Sequence, residues 1–158
     1  MKKLNVNESK LCSYQANILA NSIEFDCSSK IFLRRFFNSS YAQKMDDYEN
    51  HTFSYDIKDC YDQLLEQYGK FTYGKKKVSK EILYWLGYIT RYICIDKNIS
   101  SKQLYKMIDL NVLIDNYETY HTQSEEWVIN RIFDNMGIDK DTFDNKTKIK
   151  SVLTKLWL

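Results

Sequence analysis

Gly69, Lys70, Phe71, Thr72, Tyr73, Gly74, Lys75 and Lys76 place two glycines and a lysine at the spacing GxxxxGK of a phosphate-binding loop. In such a loop backbone amides surround the phosphates, the lysine reaches the outer ones, and a following hydroxyl meets the magnesium ion. Here Lys76 stands at the hydroxyl position, the preceding segment has helical periodicity, and no apolar strand ending in Asp follows. Nucleotide hydrolysis therefore ranks below a solvated lysine loop between two helices, because the loop chemistry needs a strand before it and a helix end beside it.

His121, in YETYHTQSEEW, stands just before Glu125 and Glu126, a His and carboxylate group of the kind used in acid-base chemistry. Thr122 and Glu125 also fit a capping box, which accounts for the same residues without catalysis. His51 lies on a polar connection, and no candidate nucleophile flanks either histidine, so a hydrolytic triad is not expected. Cys12, Cys27, Cys60 and Cys94 are far apart, form no CxxC pair and have only two histidines to join them, which does not match zinc-ligand spacing. They read as reduced, partly buried thiols. No catalytic residue, metal or cofactor is expected.

Charge carries more of the signal. The segment 46–66 holds seven acidic residues and one lysine, Lys58, and five lysines follow within 70–80. Asp56, Asp59, Asp62 and Glu66 share one face of a predicted helix, a ridge able to dock on a basic protein surface; an ordinary solvated helix face accounts for it equally well. Its attraction is screened over about 8 Å at physiological salt. Lys70, Lys75, Lys76 and Lys77, interleaved with Tyr68, Phe71 and Tyr73, fit a surface that stacks bases and tracks phosphates. Much of the tyrosine falls instead on apolar stripes. Lysine far outnumbers arginine, so Arg34, Arg35, Arg91 and Arg131 stand out against the composition. The planar arginine fork suits carboxylates and partly buried ion pairs. Internal pairing or interface anchoring is favoured for Arg34, Arg35 and Arg91, and Arg34 or Arg35 is the candidate grip on an acidic partner.

These groups need elements to hold them, and the chain reads as all-α. It has no proline and four glycines, and Ser, Thr, Asn and Asp recur before apolar-periodic stretches as caps would. The expected architecture is a compact single-domain bundle of about six to eight short helices around a central aromatic-rich helix. A first helix is predicted over 8–25, with Leu11, Ile18, Leu19 and Ser22 or Ile23 inward. IFLRRFFN follows a cap at Ser28 or Ser29, and Asn38 or Ser39 opens a turn through 42–45. Ile57, Cys60 or Tyr61, Leu64, Leu65 and Tyr68 form the next stripe, closed by Gly69 as a left-handed cap. Ser79 caps the central helix, which carries Ile82, Leu83, Trp85, Leu86, Ile89, Tyr92 and Ile93. Ser100 with Gln103, and Thr122 with Glu125, mark two further starts, and Gly137 an end. A helix near 112–120 and a short hairpin near 71–78 are weaker readings. At the C-terminus Ile149, Val152, Leu153, Leu156 and Trp157 predict a helix over 146–158 docked on the body or on a partner.

A chain of 158 residues, 44% hydrophobic and 28% charged, suits one soluble domain spanning 1–158, and its net charge of +2 selects no partner class. MKKLNVNESK lacks the apolar core of a signal peptide, and the most apolar run, 82–95, is too short to span a bilayer and includes Arg91. A cytoplasmic protein without a membrane segment is the expectation.

FLRRFFNS, YGKFTYGKKKVSKEILYWLGYITRY and YETYHT, together covering roughly residues 31–133, resemble a group of small bacterial antitoxin-like proteins found near toxin genes. The resemblance implies an interaction protein that neutralises a toxin or a defence enzyme by binding. TQSEE stands after YHT where an Asp-Pro turn is expected, and no functional residue is carried over from the group. Two alternatives remain: a phage-encoded inhibitor of a host nucleic-acid defence enzyme, whose acidic helix imitates a phosphate backbone, and a nucleic-acid-binding module using the lysine loop.

Overall fold

The computed structural model describes residues 2–137, and the helix expected over 146–158 lies outside them. Among the described residues the chain is all-helical, with nine α-helices, two 3-10 turns and no strand. Two long helices organise it. α1, Val6–Ala20, starts at Asn5, whose side chain accepts the Glu8 amide while the Glu8 carboxylate accepts the Asn5 amide. This capping box sets the start two residues earlier than the expected 8–25 helix. The other end stops short as well, because residues Asn21–Glu24 tighten into a 3-10 turn.

α5, Lys80–Lys97, is capped by Ser79 and closed by Asn98 in the left-handed conformation. Eleven of its eighteen residues are buried, which makes it the central helix the aromatic pattern predicts. It lies along α1, and Gly87 allows the approach: a Cβ there would stand 2.7 Å from Ala16 Cα and from the Gln15 carbonyl oxygen. The Gln15 amide nitrogen donates to the Gly87 carbonyl at 3.1 Å and to Thr90 Oγ1 at 2.9 Å, so the contact is polar as well as close.

α2, Ser29–Phe37, and α3, Ser40–Asp46, are capped by Ser28 and Ser39. α2 buries Phe32, Leu33, Phe36 and Phe37 and turns Lys30 and Arg34 outward. Each buried aromatic of that kind contributes roughly 1.5–3 kcal/mol. After a 3-10 turn at Tyr48–Asn50, α4, Ile57–Tyr68, buries Cys60 and Leu64 and ends at Gly69, as expected, but the cap is not the left-handed helical one: φ is positive, at 74°, and ψ is extended, at −163°.

α6, Ser101–Met107, begins with the predicted Ser100–Gln103 capping box. The helix expected near 112–120 is divided into α7, Leu110–Asp115, and α8, Tyr117–Tyr120, at Asn116, whose side chain donates to the Val112 carbonyl. α9, Glu125–Asn135, is capped by Ser124, not by the predicted Thr122 and Glu125 box. Thr122 still belongs to the preceding turn, where its hydroxyl donates to the Thr119 carbonyl, and the backbone becomes extended only at Ser124. No helix among the described residues is long and apolar enough to cross a membrane. All four cysteines are free and buried, and burial pushes the thiols of Cys12 and Cys94 up to about 12.

Candidate interaction surfaces

The acidic ridge is built on α4. Ser54 and Tyr55 make the turn into it, with Tyr55 at a φ of 59°, and the Ser54 hydroxyl both accepts the Asp56 amide and donates to Asp59. Asp56 is the N-cap, accepting the Lys58 amide at 3.0 Å. The Tyr14 hydroxyl fixes this corner by donating to the Asp56 carbonyl at 2.7 Å while it accepts from Tyr41 at 2.6 Å. Farther along, the Tyr61 hydroxyl donates to the Ile18 carbonyl at 2.6 Å, locking the inner face of α4 to α1. The outer face carries Asp56, Asp59, Asp62 and Glu66, all exposed, at the three- and four-residue spacing that keeps them on one stripe. Lys58 pairs with Asp62 at 2.8 Å, and that hydrogen bond raises the lysine's pKa.

The lysine loop is pinned where a hairpin or a nucleotide loop would be free. The Ser28 amide donates to the Tyr73 carbonyl and the Ser29 amide to the Lys76 carbonyl, each at 3.0 Å, and the Val78 amide donates to Ser29 Oγ at 2.8 Å. Segment 71–78 therefore docks on the N-terminus of α2. Gly74, at a φ of 78°, passes so close that a Cβ would meet the Ser28 side chain at 2.9 Å. The Ser79 cap of α5 comes five residues after Gly74, so the helix does not begin at the lysines as phosphate-loop chemistry requires.

Phe71 is buried against Phe25, Phe32 and Tyr68. Over that cluster the Arg35 guanidinium lies 4.7 Å from the Phe71 ring centre and 5.5 Å from that of Tyr68, with a long 3.5 Å contact to the Lys70 carbonyl. The Tyr68 hydroxyl returns a bond to the Arg35 carbonyl at 2.9 Å. Arg35 thus fastens the loop to α2, whereas Arg34 is exposed. Lys77, although exposed as a residue, is engaged at its ammonium, which donates to the carbonyls of Phe25 and Cys27. Lys70, Lys75 and Lys76 remain exposed, as does Tyr73, with 75% of its surface in solvent.

A polar network that sequence spacing does not suggest closes the core. Arg91 is 1% exposed and directs its guanidinium to three partners. Nε donates to Gln15 Oε1 at 2.8 Å, Nη1 to Asp46 at 2.7 Å and Nη2 to the Ser101 hydroxyl at 2.8 Å. Asp46 in turn accepts from the Ser101 amide at 3.0 Å and from its hydroxyl at 2.7 Å. Burial opposes the charge on Arg91, but Asp46 holds its pKa above the ordinary arginine value. Glu8, which unlike the partly exposed Asp46 is fully buried, accepts from Lys2 at 2.7 Å and from the Tyr48 hydroxyl at 2.6 Å. The Asn5 and Glu8 spacing could have revealed the latter; nothing in the local sequence marks Asp46 as the partner of Arg91.

The residues with catalytic chemistry have local roles. His121 stacks on Tyr117 at 4.2 Å, with Nδ1 2.6 Å from the Tyr117 carbonyl, and His51 stands 3.5 Å from Asp47. No group of His, Cys, Asp and Glu among the described residues could hold a metal ion. No protein-family description matches the chain, and neither a curated protein nor a solved structure matches it.

Proposed function

We propose that this chain is an antitoxin-like interaction protein that neutralises a protein partner by direct binding and occlusion, with the outer stripe of α4 as its docking face. The observation that carries the reading is the arrangement of Asp56, Asp59, Asp62 and Glu66, all exposed on one side of a helix whose other side is locked into the core. About ten residues of helix extend the stripe over about 15 Å, enough to span a basic cleft on a toxin or a nucleic-acid defence enzyme. A pre-formed ridge binds without the entropy cost of ordering a flexible segment. The same surface suits a phage-encoded inhibitor, because carboxylates in a row present the charge of a phosphate backbone to a defence enzyme.

The test keeps the fold while removing the charge. Asp56 is the cap of α4, and loss of a cap costs about 1 kcal/mol, so Asp56→Asn is combined with Asp59→Lys, Asp62→Lys and Glu66→Lys. A partner recovered from nuclease-treated host lysate at physiological salt should associate at least about tenfold more slowly with this variant, because charge complementarity acts mainly on the association rate. Unchanged binding by a normally folded variant would exclude the ridge.

A second reading has its own observation: Tyr73 projects from a pinned loop between exposed Lys70, Lys75 and Lys76. If the loop binds nucleic acid, affinity for single-stranded DNA or RNA falls steeply with salt and drops again on Tyr73→Ala.

A further inference from the structure

Neither α2 nor segment 69–80 contains an acidic residue, and the structure brings their cations together. The buried side of α2 is Phe32, Leu33, Phe36 and Phe37. Lys30 and Arg34 are left on the outward side, four residues and about 6 Å apart along the axis. The lysine loop lies against the start of the same helix. Its Tyr73 and Lys76 carbonyls accept the Ser28 and Ser29 amides, and Gly74 meets the Ser28 side chain too closely to admit a Cβ. Lys76 is bonded to Ser29, the neighbour of Lys30, so the two lysines are within about 11 Å of each other at the backbone. Lys75 and Lys76 thus sit at the N-terminal end of α2, Lys30 in its first turn and Arg34 one turn farther on, with the exposed ring of Tyr73 at the head of the row. Lys2, Lys58 and Arg91 each hold a carboxylate, whereas the charged groups of these four residues have no ion-pair or hydrogen-bond partner among the described residues.

We infer that this row extends the loop into a single-stranded nucleic-acid track: one base stacks on Tyr73, and successive phosphates meet Lys75, Lys76, Lys30 and Arg34 along α2. The inference rests on the nucleic-acid reading of the lysine loop and adds the helix to it. The ring selects a single strand. Bases in a duplex are already stacked on one another and leave a side chain no free face, whereas an unpaired base offers one. The bonds between the loop and Ser28 and Ser29 set the ring and the cations in place before a strand arrives, so binding orders little of the protein. Arg34 adds what a lysine lacks, a planar fork that can hold two oxygens of one phosphate. Each neutralised phosphate contributes about −0.7 to the slope of log affinity against log salt on a single strand, so the four cations together predict about −2.8.

The experiment uses the full chain and fluorescent oligothymidylate and oligouridylate of about twelve nucleotides, with a duplex of the same length, read by anisotropy between about 50 and 200 mM salt. Saturable binding of the single strands, at least about tenfold tighter than the duplex, is expected. Lys30→Ala with Arg34→Ala should flatten the salt slope by about 1.4, half of the four-cation value, at an unchanged urea midpoint because both side chains are exposed. Lys3→Ala with Lys10→Ala removes the same charge from exposed positions in and before α1 and should leave the slope as it is. Tyr73→Ala should weaken binding at least about fivefold without changing the slope. If variants of Tyr73, Lys75 and Lys76 lose binding while the Lys30 and Arg34 variant keeps the full slope, the site is confined to the loop; the inference is then overturned and the reading of the loop stands. Absence of saturable binding by either strand at the lowest salt would overturn both. An equal loss of slope in the Lys3 and Lys10 variant, or equal affinity for the duplex, would also overturn the inference by reducing the interaction to non-specific charge.

Discussion

Asp46→Ala is the sharpest test of how the core is held. The substitution removes the counter-charge 2.7 Å from Arg91 and, with it, the acceptor of the Ser101 amide and hydroxyl. Breaking a buried ion pair from one side costs roughly 3–5 kcal/mol, because the remaining charge stays in the interior without compensation. Hydrogen bonds give a similar figure: one bond to a charged group contributes about 1.5–3 kcal/mol, and a buried amide left without an acceptor costs about 1–3 kcal/mol more. Asp46 retains 16% of its side-chain surface, so water can reach the vacated site and satisfy the Ser101 amide. That places the expected loss near the lower bound, at about 3 kcal/mol.

Urea denaturation followed by circular dichroism would measure it, with the slope checked for constancy so that the midpoint reports stability. A loss of about 3 kcal/mol lowers the thermal midpoint of a chain this size by roughly 6–12 °C. Asp46→Asn keeps one oxygen and the shape while removing the charge, and should fall between the two proteins. If Asp46→Ala costs less than about 1 kcal/mol, the pair behaves as a solvated surface bridge and burial does not make Arg91 depend on Asp46.

Two further substitutions probe the α1 and α5 contact and the first cap. Gly87→Ala places a methyl group 2.7 Å from Ala16 Cα, forcing the helices apart; denaturation should show a loss of about 1–3 kcal/mol in spite of alanine's better helix propensity. Glu8 is buried, and burial alone would raise its pKa, but the bonds from the Asn5 amide, Lys2 and Tyr48 together hold it below the ordinary 4.5. Its stabilisation is therefore present above pH 4.5 and lost as pH falls through the depressed folded value, so Glu8→Gln should flatten the acid limb of a stability profile below pH 4.5. An unchanged acid limb would show that Glu8 does not couple folding to protons.

Local chemistry made much of the helix pattern readable. Ser28, Ser39, Ser79 and Ser100 are caps because each precedes an apolar-periodic run, and Gly69 ends α4 because it reaches a positive φ at little steric cost. The apolar content of α5 predicted its central position for the same reason. Failures occurred where a residue had two local options. By spacing alone Thr122 fits a capping box with Glu125, but Ser124 is the cap, and the choice follows from how far the turn after α8 continues. Long-range pairings were the other blind spot. Asp46 belongs to the acidic segment by sequence, yet it serves Arg91, forty-five residues away. The site residues divide in the same way: the α4 stripe follows from spacing, but no spacing distinguishes Arg35, held over Phe71, from exposed Arg34.

That division shapes how the surface can act. Arg35 fastens the loop to α2 and Lys77 ties it to the carbonyls of Phe25 and Cys27 just before that helix, and together they fix the backbone that carries Lys70, Tyr73, Lys75 and Lys76. Substituting either fastening residue should release the loop and weaken any ligand indirectly, with little change in the salt dependence of binding. Substituting Lys75 or Lys76 takes a cation away from an unchanged scaffold and should reduce the salt slope by about one for each phosphate no longer neutralised. The same logic separates Asp56 from Glu66 on α4. Asp56 supports the helix as its cap and contributes charge as well, whereas Glu66 is exposed beyond the cap's reach, so its reversal tests recognition with little effect on the fold. A partner that reads the ridge should register Glu66→Lys at constant stability; one that responds only to Asp56→Lys is reporting damage to the helix start.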